Sequence, residues 1–302
     1  MNGNLTPVKT RSLPNGLNDV HHLHIDEQAF AGRIGGNQRS AINPKDAHYL
    51  DRDDQSTPDA TPGASWTLLL NPRGFLDIRL WKKAFIEGLG TCLLVYIMGL
   101  VTTGIVPLVP KSTFGPAPIV AVAALIITLL VALFIFVLGP VTGAHHNPLI
   151  TMTTFSLRLA SLPRATLYII FQCLGSIIGA YLLRFAIGGD SKVLHMSPGC
   201  YINPSEISQA QAFVLETTSS LFVIFMAFGL GLDPRNANAF PPALAPFLVG
   251  SAVGLALFSG GISVEGYLGS SNNPARCLGL MMAGNRFTYH WIHWIADLTA
   301  VL

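Results

Sequence analysis

Charge is what this chain has least of. Only 11% of its 302 residues are Asp, Glu, Lys or Arg, against 50% hydrophobic residues and a mean hydropathy of +0.49. That balance excludes an ordinary soluble domain. The formal net charge is +2, and without a basic–aromatic patch it gives no ground for a nucleic-acid partner. No Ser-His-Asp arrangement and no metal-ligand spacing stands out, so neither an enzyme nor a bound cofactor is expected. Four cysteines say little about redox compartment. No apolar stretch of useful length precedes about Ala84, so no signal peptide is read near Met1.

The few charges are crowded at one end. Residues 1–83 hold ten of the 18 basic and nine of the 16 acidic side chains. Residues 1–80 are rich in Pro, Asn, Asp, Gly and Ser without periodicity, and read as a hydrophilic, disordered tail. Its His21-His22-x-His24 cluster lacks a scaffold and is not read as a metal site. Residues 81–302 read as a membrane domain. Six long apolar segments lie near 84–106, 117–138, 164–187, 210–231, 242–262 and 287–302. Ile119 to Leu138 is an uncharged run of 20 residues, enough to cross a hydrocarbon core of roughly 30 Å.

Two Asn-Pro turns, Asn147-Pro148-Leu149 and Asn273-Pro274-Ala275, interrupt this pattern at a distance of 126 residues. Asn suits a helix cap, and Pro needs no donor at the first helical position. The segments that follow are too short to span and fit re-entrant half-helices, which lipid permits only where protein or a water-filled lumen covers the backbone. The setting is duplicated. Glu87 opens the first half (about 84–187) 60 residues before Asn147, and Glu216 opens the second (about 210–302) 57 residues before Asn273. Three spans per half invert the second half relative to the first. Arg73, Arg79, Lys82, Lys83, Arg158, Arg164 and Arg235 then share one side. Lys111, Arg184, Lys192 and Arg286 share the other, a bias that puts both termini in the cytoplasm. The fold class expected is therefore all-α: six transmembrane helices and two half-helices in an inverted repeat.

Gly143-Ala144-His145-x-Asn147-Pro148, Asn273-Pro274-Ala275-Arg276 and the Glu opening each half resemble the major intrinsic proteins, the aquaporins and glycerol facilitators, over about residues 84–302. Leu149, with Cys277 directly after Arg276, is similar to the X intrinsic protein subfamily. The resemblance implies a homotetramer in a lipid bilayer, of the plasma membrane or an internal membrane. Each subunit would carry one pore for water and small neutral solutes.

It also assigns roles. Asn147 and Asn273 cap the half-helices and turn amide N–H groups to the lumen, where the two dipole ends disfavour cations. Glu87 and Glu216, costly within apolar spans, accept backbone N–H groups of the folded-in loops. Counting from the motifs by the family's spacing gives a selectivity filter of Ile127, Gly261, Ser270 and Arg276. Strict water channels carry Phe and His at the first two places, and glycerol facilitators carry aromatics and an Asp after the Arg. This ring fits neither and should be wide and weakly polar. The expected solutes are glycerol and hydrogen peroxide, with urea or boric acid as further candidates, while protons and ions are excluded. His145 and His146 stand at the pore mouth, where an imidazole is a candidate pH gate. Cys277 would expose a thiol to mercurials there, and a bridge from it to Cys200 on the same outer side is also open. Cys92 and Cys173 read as buried small hydrophobes.

Two features fit poorly. The last segment, Phe287 to Leu302, is 16 residues, short for a crossing, which raises a truncated product. Asp297 lies in it at membrane depth, where a carboxyl without a partner is expensive. The alternative to a channel is a non-conducting paralogue acting as a scaffold or regulator.

Overall fold

The structure, a computed structural model, describes residues 66–232 and 239–302. Residues 1–65, with the His21-His22-x-His24 cluster, and Arg235 lie outside the described residues. Helical structure is present before residue 81, however. A helical turn, α1 (Trp66–Leu69), precedes a 3-10 turn at Pro72–Leu76. The long α2 (Ile78–Ile105) starts at Asp77, whose Oδ1 accepts the Arg79 backbone N–H at 2.9 Å. A carboxylate at that place both fills an orphan donor and faces the positive end of the helix dipole.

Four more long helices follow: α3 (Ala117–Thr142), α5 (Leu162–Ala186), α6 (Gln209–Gly231) and α7 (Ala245–Ser263). Their starts carry local signals. Ser161 caps α5, and Ser208 with Gln211 forms a reciprocal capping box on α6. These five are long and apolar enough to cross a membrane. Leu89, Leu93, Ile97 and Leu100 of α2 form an exposed apolar stripe, while Glu87 and Thr91 of the same helix are buried. The polar groups face inward and the hydrocarbon faces outward, as lipid requires.

Between the long helices sit two short ones, α4 (Pro148–Ser156) and α8 (Pro274–Gly284). A last helix, α9 (His290–Val301), has 12 residues, about 18 Å at the helical rise. The sixth span is thus shorter than the expected 287–302. Tyr289 stands at φ 53° in front of it, a left-handed turn that delays helix formation to His290. Among the described residues there is no strand, only an isolated antiparallel bridge between Ile202 and Tyr267.

Lipid supplies no hydrophobic drive between helices, so small residues set how closely they pack. A Cβ at Gly175 of α5 would run into the Gly88 carbonyl of α2, and one at Gly179 into the Cys92 carbonyl. In the second half, Gly250 and Gly254 of α7 bring that helix against Thr128 of α3 in the same way. These two close crossings hold the four long helices around the half-helices. α8 packs on α5, and α4 on α5 and α9.

Candidate functional site

The site is built from two loops of matching geometry. Gly143 at φ 95° ends α3, and Gly269 at φ 93° stands at the same distance before the second Asn-Pro. His146 (φ 48°) and Asn272 (φ 49°) each precede a capping Asn. Left-handed backbone at these places turns each chain sharply enough to start a half-helix inside the fold. Asn147 Oδ1 then accepts the Leu149 N–H at 2.9 Å, and Asn273 Oδ1 accepts the Arg276 N–H at 3.1 Å.

The two caps meet. Asn147 Nδ2 donates to the Asn272 carbonyl at 2.5 Å, and Asn273 Nδ2 donates to the His146 carbonyl at 2.9 Å. Each amide thus spends one N–H on the opposite loop. An amide nitrogen carries two, so each keeps one for whatever lies alongside. Both half-helix N-termini converge on the same point, and a cation there faces two partly positive ends at once.

The loops are held from behind by carboxylates. Glu87 Oε1 accepts from Thr142 Oγ1 at 2.5 Å and His145 N at 3.1 Å. Its Oε2 accepts from His146 N at 2.7 Å and Gln172 Nε2 at 3.3 Å. Glu216 accepts the Ser271 N–H at 2.9 Å and the Tyr267 hydroxyl at 3.0 Å. Both carboxylates are fully buried.

A cavity of about 80 Å³ runs along the meeting point. Its polar lining residues are His145, His146, Asn147, Ser271, Asn272, Asn273 and Arg276. The rest of the lining is hydrocarbon, mostly from the long helices, including Leu94, Met98, Val131, Phe134, Val223 and Val253. Such a wall offers a small neutral molecule one line of hydrogen-bonding groups and gives a hydrated ion no replacement for its shell. The His146 ring stands edge-on to Phe134, with Nδ1 at 3.4 Å from Glu87 Oε2. His145 Nδ1 lies 3.1 Å from Thr151 Oγ1.

Arg276 also lines the cavity and is held in place. Its guanidinium donates to the Pro198 carbonyl at 2.7 Å and to the Ser271 carbonyl at 3.1 Å. Next to it, Cys277 is bonded to Cys200, with Cα atoms 5.2 Å apart. This corrects the reading of Cys277 as a pore-mouth thiol. Its sulfur is covalently occupied and the residue is 0% exposed, so there is nothing for a mercurial to meet. The bridge ties the loop holding Pro198 to the first turn of α8.

The other residues reached by counting are placed differently. Gly261 N lies near Gly269, but a Cβ on Gly261 would meet Val120 of α3, and it is the preceding Gly260 that faces Gly269 and Ser270. The Ser270 hydroxyl, however, is 2.5 Å from Ser219 Oγ and donates to Asn272 Oδ1 at 2.7 Å, so it faces α6. What Ser270 turns toward Gly199 and the Arg276 guanidinium is its carbonyl. Ile127 is 2% exposed and packs with Leu94 and Met98, which line the cavity. Counting missed Leu94, Met98 and Phe134, which look like ordinary core residues in an apolar run. It also missed Gln172 and Thr142, whose signal was visible as polar groups inside spans.

The sequence profile of the major intrinsic protein family matches residues 75–300. The probable aquaporin TIP4-1 of Oryza sativa subsp. japonica is 31% identical over 192 residues, covering 63% of this chain and 71% of that one. Aquaporin TIP4-1 of Zea mays is 33% identical over 159 residues, 52% of this chain and 57% of its own. Aquaporin TIP1-1 of Arabidopsis thaliana is 30% identical over 159 residues, with 52% and 58% covered. This chain therefore spans less than two thirds of the last two. The X-ray structure of the aquaglyceroporin from Plasmodium falciparum superposes with a TM-score of 0.54 at 20% identity, over 73% of this chain and 92% of that one. That likeness speaks for the fold alone.

Proposed function

The chain belongs to the major intrinsic protein family, and from that membership we propose a passive, multi-pass membrane channel for water and small uncharged solutes. The observation that carries this reading is the reciprocal contact of Asn147 and Asn273 with the opposite loop. Two converging half-helices leave one free amide N–H each beside a narrow lumen. A passing water or alcohol oxygen accepts there, while a cation meets the positive ends of both dipoles. Arg276 adds a fixed charge near the outer end. The apolar wall of Leu94, Met98, Phe134 and Val253 supports glycerol and hydrogen peroxide as solutes beside water, with urea and boric acid as further members of the set. A homotetramer with cytoplasmic termini belongs to the same proposal. Placement near the X intrinsic proteins rests on Leu149 and Cys277.

The test is stopped-flow light scattering on vesicles containing the purified chain. Water, glycerol and peroxide permeability above that of empty vesicles is expected, with no proton flux under a pH gradient. Vesicles no more permeable than empty ones would reject the channel and leave the non-conducting paralogue.

A further inference from the structure

Asp297 is the one acidic group of α9, is 0% exposed, and is not used by the site described above. Its Oδ1 accepts from Ser220 Oγ at 2.5 Å, while Oδ2 is buried without a hydrogen-bond partner among the described residues. A half-satisfied buried carboxyl is costly, and at membrane depth such a group is functional by default.

Ser220 leads back to the pore. Asn272 Nδ2 donates to Ser220 Oγ at 3.0 Å. An amide nitrogen only donates, so Ser220 accepts there and has its own proton free for Asp297. The acceptor on α9 thereby fixes the direction of the whole chain of bonds. It also biases which way the Asn272 amide points: Nδ2 faces Ser220 and, at 3.2 Å, Ser219 Oγ, which lies 3.3 Å from Oδ1 as well, while Oδ1 accepts the Ser270 hydroxyl at 2.7 Å. Without that acceptor the Ser220 proton is free to turn to Asn272 Oδ1, and the amide loses its preference. Asn272 is the residue at φ 49° whose carbonyl receives Asn147 Nδ2.

The two halves differ at this point. Glu87 takes two backbone donors, those of His145 and His146. Among the described residues Glu216 takes one, that of Ser271. Asn272, standing where His146 stands in the first loop, is held through its side chain instead. We propose that Asp297 is a positioning residue of the pore: through Ser220 it sets Asn272, and through the Asn272 carbonyl it sets the amide of Asn147.

This inference rests on the channel reading, so wild-type permeability above empty vesicles is established first. Asp297→Asn, Asp297→Ala, Ser220→Ala and the Ser220→Ala/Asp297→Ala pair are then compared per channel by stopped-flow. Asp297→Asn keeps an acceptor oxygen and is expected within twofold of wild type. Ser220→Ala and Asp297→Ala each lower water permeability about fivefold, the weight of one hydrogen bond. Both shift the glycerol-to-water ratio in the same direction, and the pair falls no further than either single change. Hydrogen exchange over residues 266–276 reads the same anchor without flux, and is expected to speed up in Ser220→Ala and not in Asp297→Asn. Wild-type flux, ratio and exchange in Ser220→Ala overturn the proposal even where Asp297→Ala fails to fold. A double variant that loses the product of the two single effects overturns it as well. A silent wild type with exchange behaving as expected refutes the channel and leaves the anchor standing.

Discussion

Replacing Glu87 by Gln is the sharpest single test of how the first loop is held. Four donors converge on its carboxylate, at 2.5, 3.1, 2.7 and 3.3 Å, two to each oxygen. A carboxylate has about four acceptor positions, so all are filled. Gln keeps one oxygen and replaces the other with an NH₂ group that also donates. At least one fixed donor, the backbone N–H of His145 or His146, then faces a donor, because the Thr142 hydroxyl and the Gln172 amide can turn to accept. Each buried donor left unmatched costs about 1–3 kcal/mol, with bonds to a charge at the upper end. With the charge assistance lost from the remaining bonds, the total is about 2–4 kcal/mol, reduced somewhat because a neutral amide is cheaper to bury than a carboxylate. At roughly 2–4 °C per kcal/mol, the unfolding midpoint in detergent should fall by on the order of 10 °C. Thermal unfolding followed by size-exclusion recovery of the purified tetramer or monomer measures it, with water permeability of the surviving fraction measured alongside. A Glu87→Gln protein melting within about 2 °C of wild type would refute the reasoning. So would a stable variant that begins to conduct protons, since that assigns Glu87 to transport instead of loop support.

Breaking the Cys200–Cys277 bridge, by Cys200→Ser/Cys277→Ser or by reductant, should lower stability. A loop with a sequence separation of 77 is worth up to about 4.5 kcal/mol in the chain-entropy view. The glycerol-to-water ratio should change too, as the Pro198 carbonyl loosens from Arg276; an unchanged ratio in the double serine variant argues against that coupling. The oxidised channel should be indifferent to mercurials at Cys277, so inhibition lost only in Cys277→Ser contradicts the bridge. Gly175→Ala should cost 1 kcal/mol or more, about what overpacking costs elsewhere, and depress the yield of folded protein. Gly104→Ala, with nothing within 4 Å of the new methyl, serves as the neutral control, and equal melting of the two would remove the close-crossing argument. His146→Ala should enlarge the cavity beside Phe134 and raise glycerol permeability relative to water; a fall in that ratio goes against His146 as a wall of the pore.

Apolar runs, Asn-Pro caps and the repeated Glu were enough to place five spans and both half-helices, because each is a local property of the chain. Ile119–Leu138 needs no partner to declare itself a span. The reciprocal bonds of Asn147 and Asn273 are another matter, since each depends on a carbonyl about 126 positions away. Ser270 shows the limit of counting. Spacing pairs it with Gly261, whereas Gly260 is its neighbour, and Ser219 and Asn272 draw its hydroxyl away, leaving the carbonyl for the rim. Asp297 reads as an expensive lone carboxyl because Ser220, 77 residues earlier, carries no sign of being its partner. Cys277 was read as a thiol or as half of a bridge, and only proximity to Cys200 decides between them. The last helix is shorter than its hydropathy suggests because Tyr289 turns left-handed.

The mutual capping of the two loops also has a bearing on how the chain is made. Asn147 leaves the ribosome 126 residues before Asn273, a delay of about 6–25 s at typical elongation rates. During that interval the first half-helix has its fold-back signal but lacks the carbonyl that receives its amide. Something other than this protein, the hydrated interior of the insertion machinery or the headgroup layer, must satisfy it meanwhile. The nascent first half should therefore dock loosely and lock only when the second arrives.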